Sequence, residues 1–395
     1  MYYSTVFPIA LPNFAANADV MDARAGTTPP SQRAIRCGGE RSRGNRFATL
    51  CRLNGWSLLP LEGESAIAPP PHPNADLGRS PLVIGKVEIP PGKRVKVEIP
   101  VTRLPTGTTL SLPVAVVRGR YPGPCLWLSA AIHGDELNGV EIIRRVVRSL
   151  KSSYLHGTVL AVPVVNIFGL IEQSRYLPDR RDLNRSFPGS ARGSLAARLA
   201  AIFMQEVVSH CTHGIDLHTA AIHRNNFPQI RANLQDPTTY AFAKAFGAPI
   251  IIHAGTRDGS LREAAAKRHI PTLLFEGGEA LRFGEDAIQV GVDGVRRVLA
   301  YLDMYTLDAP TQVPLAIESY ETKWIRASRG GFWHRKVELG QRVSAKETLG
   351  FVSDAFGDKP TPARSPLNGY VIGYSQNPLI HQGDALVHIA KVTPS

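Results

Sequence analysis

The chain has 395 residues, 43% of them apolar, and carries 45 Lys and Arg against 33 Asp and Glu, a formal charge of +12 at pH 7. That length gives room for two domains and a sizeable core, and the apolar fraction is ordinary for a globular protein. The basic residues are dispersed, with Arg-Arg pairs at 144, 180 and 296 and no long block interleaved with aromatics, which argues against nucleic acid as a partner.

Residues 1–80 hold eight arginines, no lysine, six acidic residues and the run Pro69-Pro70-Pro71. With little periodicity, they read as a disordered or loosely packed extension. The early run Val6 to Ala16 is broken by Pro8 and Pro12 and has no Lys or Arg before it, so it makes a poor secretory signal. The longest apolar stretches fall far short of a membrane span. Cytoplasmic residence and no membrane partner are expected. Cys37, Cys51, Cys125 and Cys211 lack CxxC spacing, so neither a zinc knuckle nor a disulfide framework is indicated.

From Pro81 to Val117, alternating runs punctuated by Pro and Gly predict antiparallel strands. Leu126 to Ile132 is a buried-strand run, and Val140, Ile143, Val147 and Leu150 recur at helical spacing. Thr158 to Asn166 is a second apolar strand, so strand, helix and strand form a βαβ unit. His133-Gly134-Asp135-Glu136 sits at the strand-to-helix turn, where ligands gather in an α/β fold. A His and a Glu three apart are weak evidence alone, because on a helix face they are usually a solvated pair.

Residues 167 to 193 read as a long loop with arginines at 175, 180, 181 and 185. Guanidinium forks bind carboxylates, so this cluster suggests an anionic substrate. Ser194 caps a helix. His213 to His218 is a strand whose alternation puts Asp216 and His218 on one face. Ala221 to Arg231 reads as a polar loop, with His223, Arg224 and Arg231 as open substrate contacts. Then come a helix over 236–246, a strand over 248–253, a helix over 260–269, a strand over 271–275 that delivers Glu276, and a helix over 286–304. Three strand ends thus offer His133, Glu136, His218 and Glu276, enough for a zinc triad with a general base. His253 is a rival ligand, and Glu279, expected to face solvent or cap the last helix, is a rival base.

Pro310 to Pro314 looks like a linker, and beyond it short strands dominate. Val343, Leu349 and Val352 match Ile380, Leu386 and Ile389 in spacing, which suggests an internal duplication. The segment resembles a biotinyl/lipoyl-like β domain, but Lys359 does not fit the carrier motif, so a structural or site-capping role is expected.

HGDE at 133–136, DLNRSFPG at 182–189, DLHT at 216–219 and FEGGE at 275–279, in that order, resemble the succinylglutamate desuccinylase/aspartoacylase family of zinc deacylases, relatives of the zinc carboxypeptidases. The likeness covers roughly Ile84 to the C-terminus. It implies an α/β fold, a zinc-carboxypeptidase-like mixed sheet flanked by helices, with a catalytic domain over 81–309 and an all-β, barrel-sandwich-like domain over 310–395. It implies His133, Glu136 and His218 as ligands of one Zn2+ per subunit, and Glu276 as the acid/base residue. Asn184 and Arg185 match the pair that holds the substrate carboxylate, with Arg180 beside them. Arg175 matches the arginine that polarises the scissile carbonyl, and Arg180 or Arg181 stays open for that role. The expected reaction is hydrolysis of the amide bond of an N-acyl amino acid or a related carboxylate-bearing small molecule, with a metallocarboxypeptidase acting on peptides as the alternative. The subunit count is left open, a homo-oligomer included.

Overall fold

The computed structural model describes residues 81–306 and 315–392. The expectations for residues 1–80 and for the linker at 310–314 lie outside the described residues. Strands β1 (Leu82–Ile84) and β2 (Val87–Ile89) pair antiparallel, as do the longer β3 (Arg94–Arg103) and β4 (Thr109–Arg118). Strand β5 (Tyr121–Ala130), helix α1 (Asn138–Ser149) and strand β6 (His156–Val162) make the predicted βαβ unit, with β5 and β6 parallel. They are followed by α2 (Ile167–Ile171), α3 (Leu195–Glu206), β7 (His213–His218), β8 (Arg224–Ala232), α4 (Pro237–Phe246), β9 (Ile250–His253), α5 (Leu261–Ala266), β10 (Thr272–Gly278) and α6 (Glu285–Tyr301).

Strands β6, β5, β7 and β10 lie side by side and parallel, with β4 antiparallel on one flank and β8 antiparallel on the other. On β5, Leu126 and Leu128 enter a core with α1, α4 and α6, while Trp127 enters a second core with α3, α5 and the β3–β4 pair. All three side chains are fully buried. A strand covered on both faces reads as a continuous apolar run, which is why alternation fades there.

Helix α1 buries Gly139, Ile142, Ile143 and Val146, while Val140 and Val147 are half-buried. Its inner face is therefore rotated from the one the spacing predicts. Gly139 explains the shift: a Cβ there would stand 2.7 Å from the Cβ atoms of both Ala130 and Leu217, so the helix start presses directly on the sheet.

Two predicted loops need correction. Residues 167–193 contain α2 and a 3-10 turn at Leu183–Arg185. Residues 224–232 form β8, which pairs with β10, β9 and a strand of the C-terminal segment. Its polar composition and Pro228 disguised it, since proline is rare inside a sheet. Buried Gln229 donates through its Nε2 to the carbonyls of Phe227 and Ile372.

The C-terminal segment supplies β11 (Ile317–Ser319), β12 (Thr322–Arg326), β13 (Gly331–Arg335), β14 (Arg342–Val343), β15 (Thr348–Ser353), β16 (Thr361–Arg364), β17 (Gly369–Ser375), β18 (Leu379–Ile380) and β19 (Ala385–Lys391). Strands β12, β19 and β17 extend the central sheet through the β17–β8 pairing, and β16, β15, β13 and β18 form a separate antiparallel sheet. Val343, Leu349 and Val352 meet Ile380, Leu386 and Ile389 in one core, each trio supplied by a short strand and then a longer one. Lys359 is exposed in the turn between β15 and β16. Cys125 and Cys211, distant in sequence, place their buried sulfurs 3.3 Å apart. Among the described residues no helix is long and apolar enough to cross a membrane.

Candidate active site

Strand register builds the site. Ser129 of β5, Asp216 of β7, Leu274 of β10 and Arg231 of β8 form one row across the sheet, and two residues further along β7 and β10 His218 stands beside Glu276. Steps of two keep side chains on one face, and Asp216, His218, Leu274, Glu276 and Arg231 all line a pocket of about 400 Å³. Strand β5 ends at Ala130, and the next residue, Ala131, stands in the left-handed region at φ 48° as the chain turns over the strand ends. Glu136 N–H donates to the His133 carbonyl at 3.1 Å, closing that turn.

Gly134 is the point of closest approach in the turn. A Cβ there would stand 1.9 Å from the Gly169 carbonyl carbon and 2.2 Å from the Leu170 nitrogen, both backbone atoms of α2. Gly134→Ala is expected to cost about 3 kcal/mol, the upper part of the overpacking range, because backbone on both sides leaves no side chain to yield. Denaturant unfolding measures it, and an unchanged midpoint would show that the turn and α2 separate freely.

The turn aims two side chains at one point. His133 Nδ1 lies 2.8 Å from Glu136 Oε1, and His218 Nδ1 lies 2.7 Å from Glu136 Oε2. The three residues are buried, and one donor atom from each lies within 4.8 Å of the others. The far nitrogens are held from behind: His218 Nε2 is 2.8 Å from Asp216, itself bonded by the Ser129 hydroxyl at 2.8 Å, and His133 Nε2 is 3.2 Å from Asp182. A carboxylate behind each ring fixes the tautomer that turns the inner lone pair toward a metal. Two imidazoles and one carboxylate are the donor set of an open catalytic zinc site, so the residues fit that ion.

The electrostatics are those of a buried charge cluster. Burial works to raise the Glu136 carboxyl, but His133 and His218 outweigh it and hold the group well below the usual carboxylate range. For His218, burial works against the proton, and Asp216 and Glu136 overcome it, raising the imidazole well above its ordinary value. Asp182 is opposed by burial in the same way and is held low by His133 and Arg175.

Arg175 reaches this centre. Its Nη1 is 3.3 Å from Glu136 Oε1 and 3.2 Å from His133 Nδ1, and its Nη2 donates to Asp182 Oδ2 at 3.0 Å. Asn184 and Arg185 also line the pocket, with Asn184 Oδ1 accepting from Leu261 N–H at 3.0 Å at the start of α5. Arg180 and Arg181 do not line it, and Arg181 pairs with Asp179 at 3.7 Å. His253 is engaged elsewhere, its Nδ1 accepting from Leu234 N–H at 3.1 Å and its ring stacked on Tyr320. Glu279 neither enters the pocket nor caps α6: it pairs with Arg282 at 3.3 Å, and the helix starts at Gly284 without a side-chain cap.

Several groups in and behind the pocket escaped the sequence reading. Asp182 belongs to the DLNR segment, but only the fold shows it behind His133. Asn226 of β8 donates to Glu276 Oε2. Trp324 of β12 and Arg257 and Arg262 around α5 complete the wall. Only Asp182 carried a signal, as an acid next to the Asn-Arg pair.

Residues 122–302 match the succinylglutamate desuccinylase/aspartoacylase catalytic domain. The chain is 25% identical over 300 residues to an N-alpha-acetyl-L-2,4-diaminobutyric acid deacetylase of Halomonas elongata, covering 72% of this chain and 86% of that protein. A succinylglutamate desuccinylase/aspartoacylase structure from Rhodobacter sphaeroides is 25% identical with a TM-score of 0.68, over 77% of this chain and 96% of that one. The product-bound ectoine utilization protein EutE (DoeB) from Ruegeria pomeroyi shares the fold at 22% identity and a TM-score of 0.69, over 77% of this chain and 98% of that one. With HGDE, DLHT and FEGGE at the ends of β5, β7 and β10, and the domain match spanning these and DLNR, residues 122–302 carry the catalytic domain of the succinylglutamate desuccinylase/aspartoacylase family.

Proposed function

We propose that the protein is a zinc-dependent deacylase that hydrolyses the amide bond of a small N-acyl amino acid. The observation that carries this reading is the convergence of His133, Glu136 and His218, each imidazole backed by its own carboxylate, beside Glu276. A zinc ion held by those three residues supplies a Lewis acid that lowers the pKa of water toward 7 and polarises an amide carbonyl.

The chain's own residues do the rest. Glu276, one strand over from His218 and in the same pocket, takes the proton of the attacking water and delivers it to the leaving nitrogen. Asn226 donates to Glu276 Oε2 and Arg231 Nε lies 3.5 Å from Oε1. These contacts orient the carboxylate. Arg175 is the donor for the oxygen that becomes negative as the carbonyl is attacked. Asn184 and Arg185 fix the substrate carboxylate and so the register of the scissile bond.

The relative from Halomonas elongata deacetylates Nα-acetyl-2,4-diaminobutyrate, which puts acetylated amino acids first among candidates here. The test is a panel of N-acetyl and N-succinyl amino acids, Nα-acetyl-L-2,4-diaminobutyrate and blocked dipeptides, assayed with the zinc-loaded protein. At least one acylated amino acid should exceed every blocked dipeptide in kcat/KM by about tenfold. Faster cleavage of the dipeptides would favour a carboxypeptidase instead.

A further inference from the structure

The C-terminal segment reaches Glu276 through a single glycine. Strand register sets Trp324 of β12, His388 of β19, Gly373 of β17 and Asn226 of β8 in one row, which ends at Gly278 of β10, two residues past Glu276. Asn226 is buried, lines the pocket and donates through Nδ2 to Glu276 Oε2.

A bulge brings Asn226 to that face. Glu276 pairs with Gln229 and Gly278 with Asn226, so two steps along β10 are matched by three along β8. One extra residue reverses the alternation beyond it. Arg231 and Asn226, an odd and an even position, therefore both line the pocket. In a regular strand Asn226 would turn to the opposite face.

Gly373 then sets which edge of the amide meets the carboxylate. Its φ lies outside the left-handed region, so space rather than backbone conformation calls for glycine. A Cβ at 373 would stand 2.6 Å from Asn226 Oδ1, which means that the amide oxygen occupies the room a side chain would fill. With its oxygen turned toward β17, the amide presents its NH2 to Glu276, and a carboxylate acting as a base only accepts. On the other side, the same Cβ would meet His388 Cβ at 3.6 Å, and the His388 ring is stacked on Trp324 with centroids 4.5 Å apart. The Asn225 carbonyl would lie 3.4 Å away, an ordinary contact. An added methyl thus presses on the Asn226 amide before it disturbs the sheet.

We infer that Gly373 is a positioning residue for the reaction: it holds the Asn226 amide with its NH2 toward Glu276, so that the C-terminal segment takes part in turnover through a residue outside the pocket lining. The inference rests on the deacylase reading and deepens its account of the base.

Gly373→Ala, Asn226→Ala and the double variant test it, each as the full-length protein. Zinc content, denaturant unfolding and steady-state kinetics on the best acylated amino acid of the panel above are measured. Each single change should lower kcat by about ten- to a hundredfold, the scale of one hydrogen bond to a charged group. KM should stay within about threefold and zinc should be retained, as for an interaction that acts on the chemical step. The double variant should turn over like Asn226→Ala alone and lose less stability than the two single changes summed, because the methyl then has no amide to displace. A glycine that serves only the sheet would give losses that multiply.

Parent-like kcat in either single variant, or multiplied losses in the double, would overturn the inference and leave the deacylase reading in place. Should Gly373→Ala fail to fold, the double variant decides: turnover equal to Asn226→Ala upholds the inference, and lower turnover overturns it. If the parent hydrolyses nothing on the panel, the deacylase reading fails, and the unfolding measurements judge the contact alone. Recovery in the double variant then upholds the hold of Gly373 on Asn226, and additive destabilisation overturns it.

Discussion

Glu276→Gln is expected to retain zinc and lose about 10²- to 10⁴-fold in kcat, the range associated with removing a positioned general acid–base group. Glu276 is not one of the three residues whose donor atoms converge, so the metal centre survives the change. The amide keeps the length of the carboxylate and accepts from Asn226 through its oxygen, but it cannot take a proton from water. The charge opposite Arg231 is also lost, and since Glu276 and Arg231 are each about one-fifth exposed, the stability change stays within about 1 kcal/mol. Steady-state kinetics with parallel metal analysis decide it. Turnover within about tenfold of the parent, with zinc retained, would remove Glu276 from the proton path. Glu279→Gln is the control: that residue pairs with a largely exposed Arg282 outside the pocket and should behave as the parent.

Much of this arrangement was legible in the sequence, for reasons particular residues make plain. The β5–α1–β6 unit showed because a run buried on both faces and a helix with a 3.6-residue period differ in pattern. His133, Glu136 and His218 showed because each sits at the end of a recognisable strand or turn. What stayed hidden came from register and from distant chain. Strand β8 read as a loop because its inward side chains are polar: Asn226, Gln229 and Arg231 serve the pocket or bond to backbone, and no alternation of apolar residues marks them. Trp324 lies in the C-terminal segment and reaches the pocket only through the β12–β19–β17–β8 succession. Where Arg175, Arg180 and Arg181 lie relative to the pocket likewise needed coordinates, since one loop carries all three. Arg175 donates to Asp182, the N-cap of the 3-10 turn at Leu183–Arg185, and lines the pocket, while Arg180 and Arg181 do not.

His218→Ala should abolish stoichiometric zinc binding, while leaving a folded chain whose turnover falls to background. The imidazole supplies one of three donors, and its removal leaves Glu136 with His133, the Thr219 N–H at 3.1 Å and Arg175 as partners. It also leaves Asp216 without the ring it orients, still accepting from the Ser129 hydroxyl. A site with a single imidazole and a single carboxylate lacks the coordination that structural and catalytic zinc centres share. The loss should therefore exceed the roughly 10- to 100-fold fall in affinity typical of removing an outer partner. Asp216→Asn should show that smaller fall, because the ring stays but its tautomer is no longer dictated. His253→Ala, by contrast, should bind zinc like the parent, since that ring is occupied by Leu234 and Tyr320. Titration with a chromogenic chelator ranks the three variants without reference to activity, and added imidazole should restore zinc to His218→Ala by filling the space the ring vacates. Parent-like zinc affinity in His218→Ala would show that the ion is held by other residues, and the assignments of Glu276 and Arg175 would have to move with it.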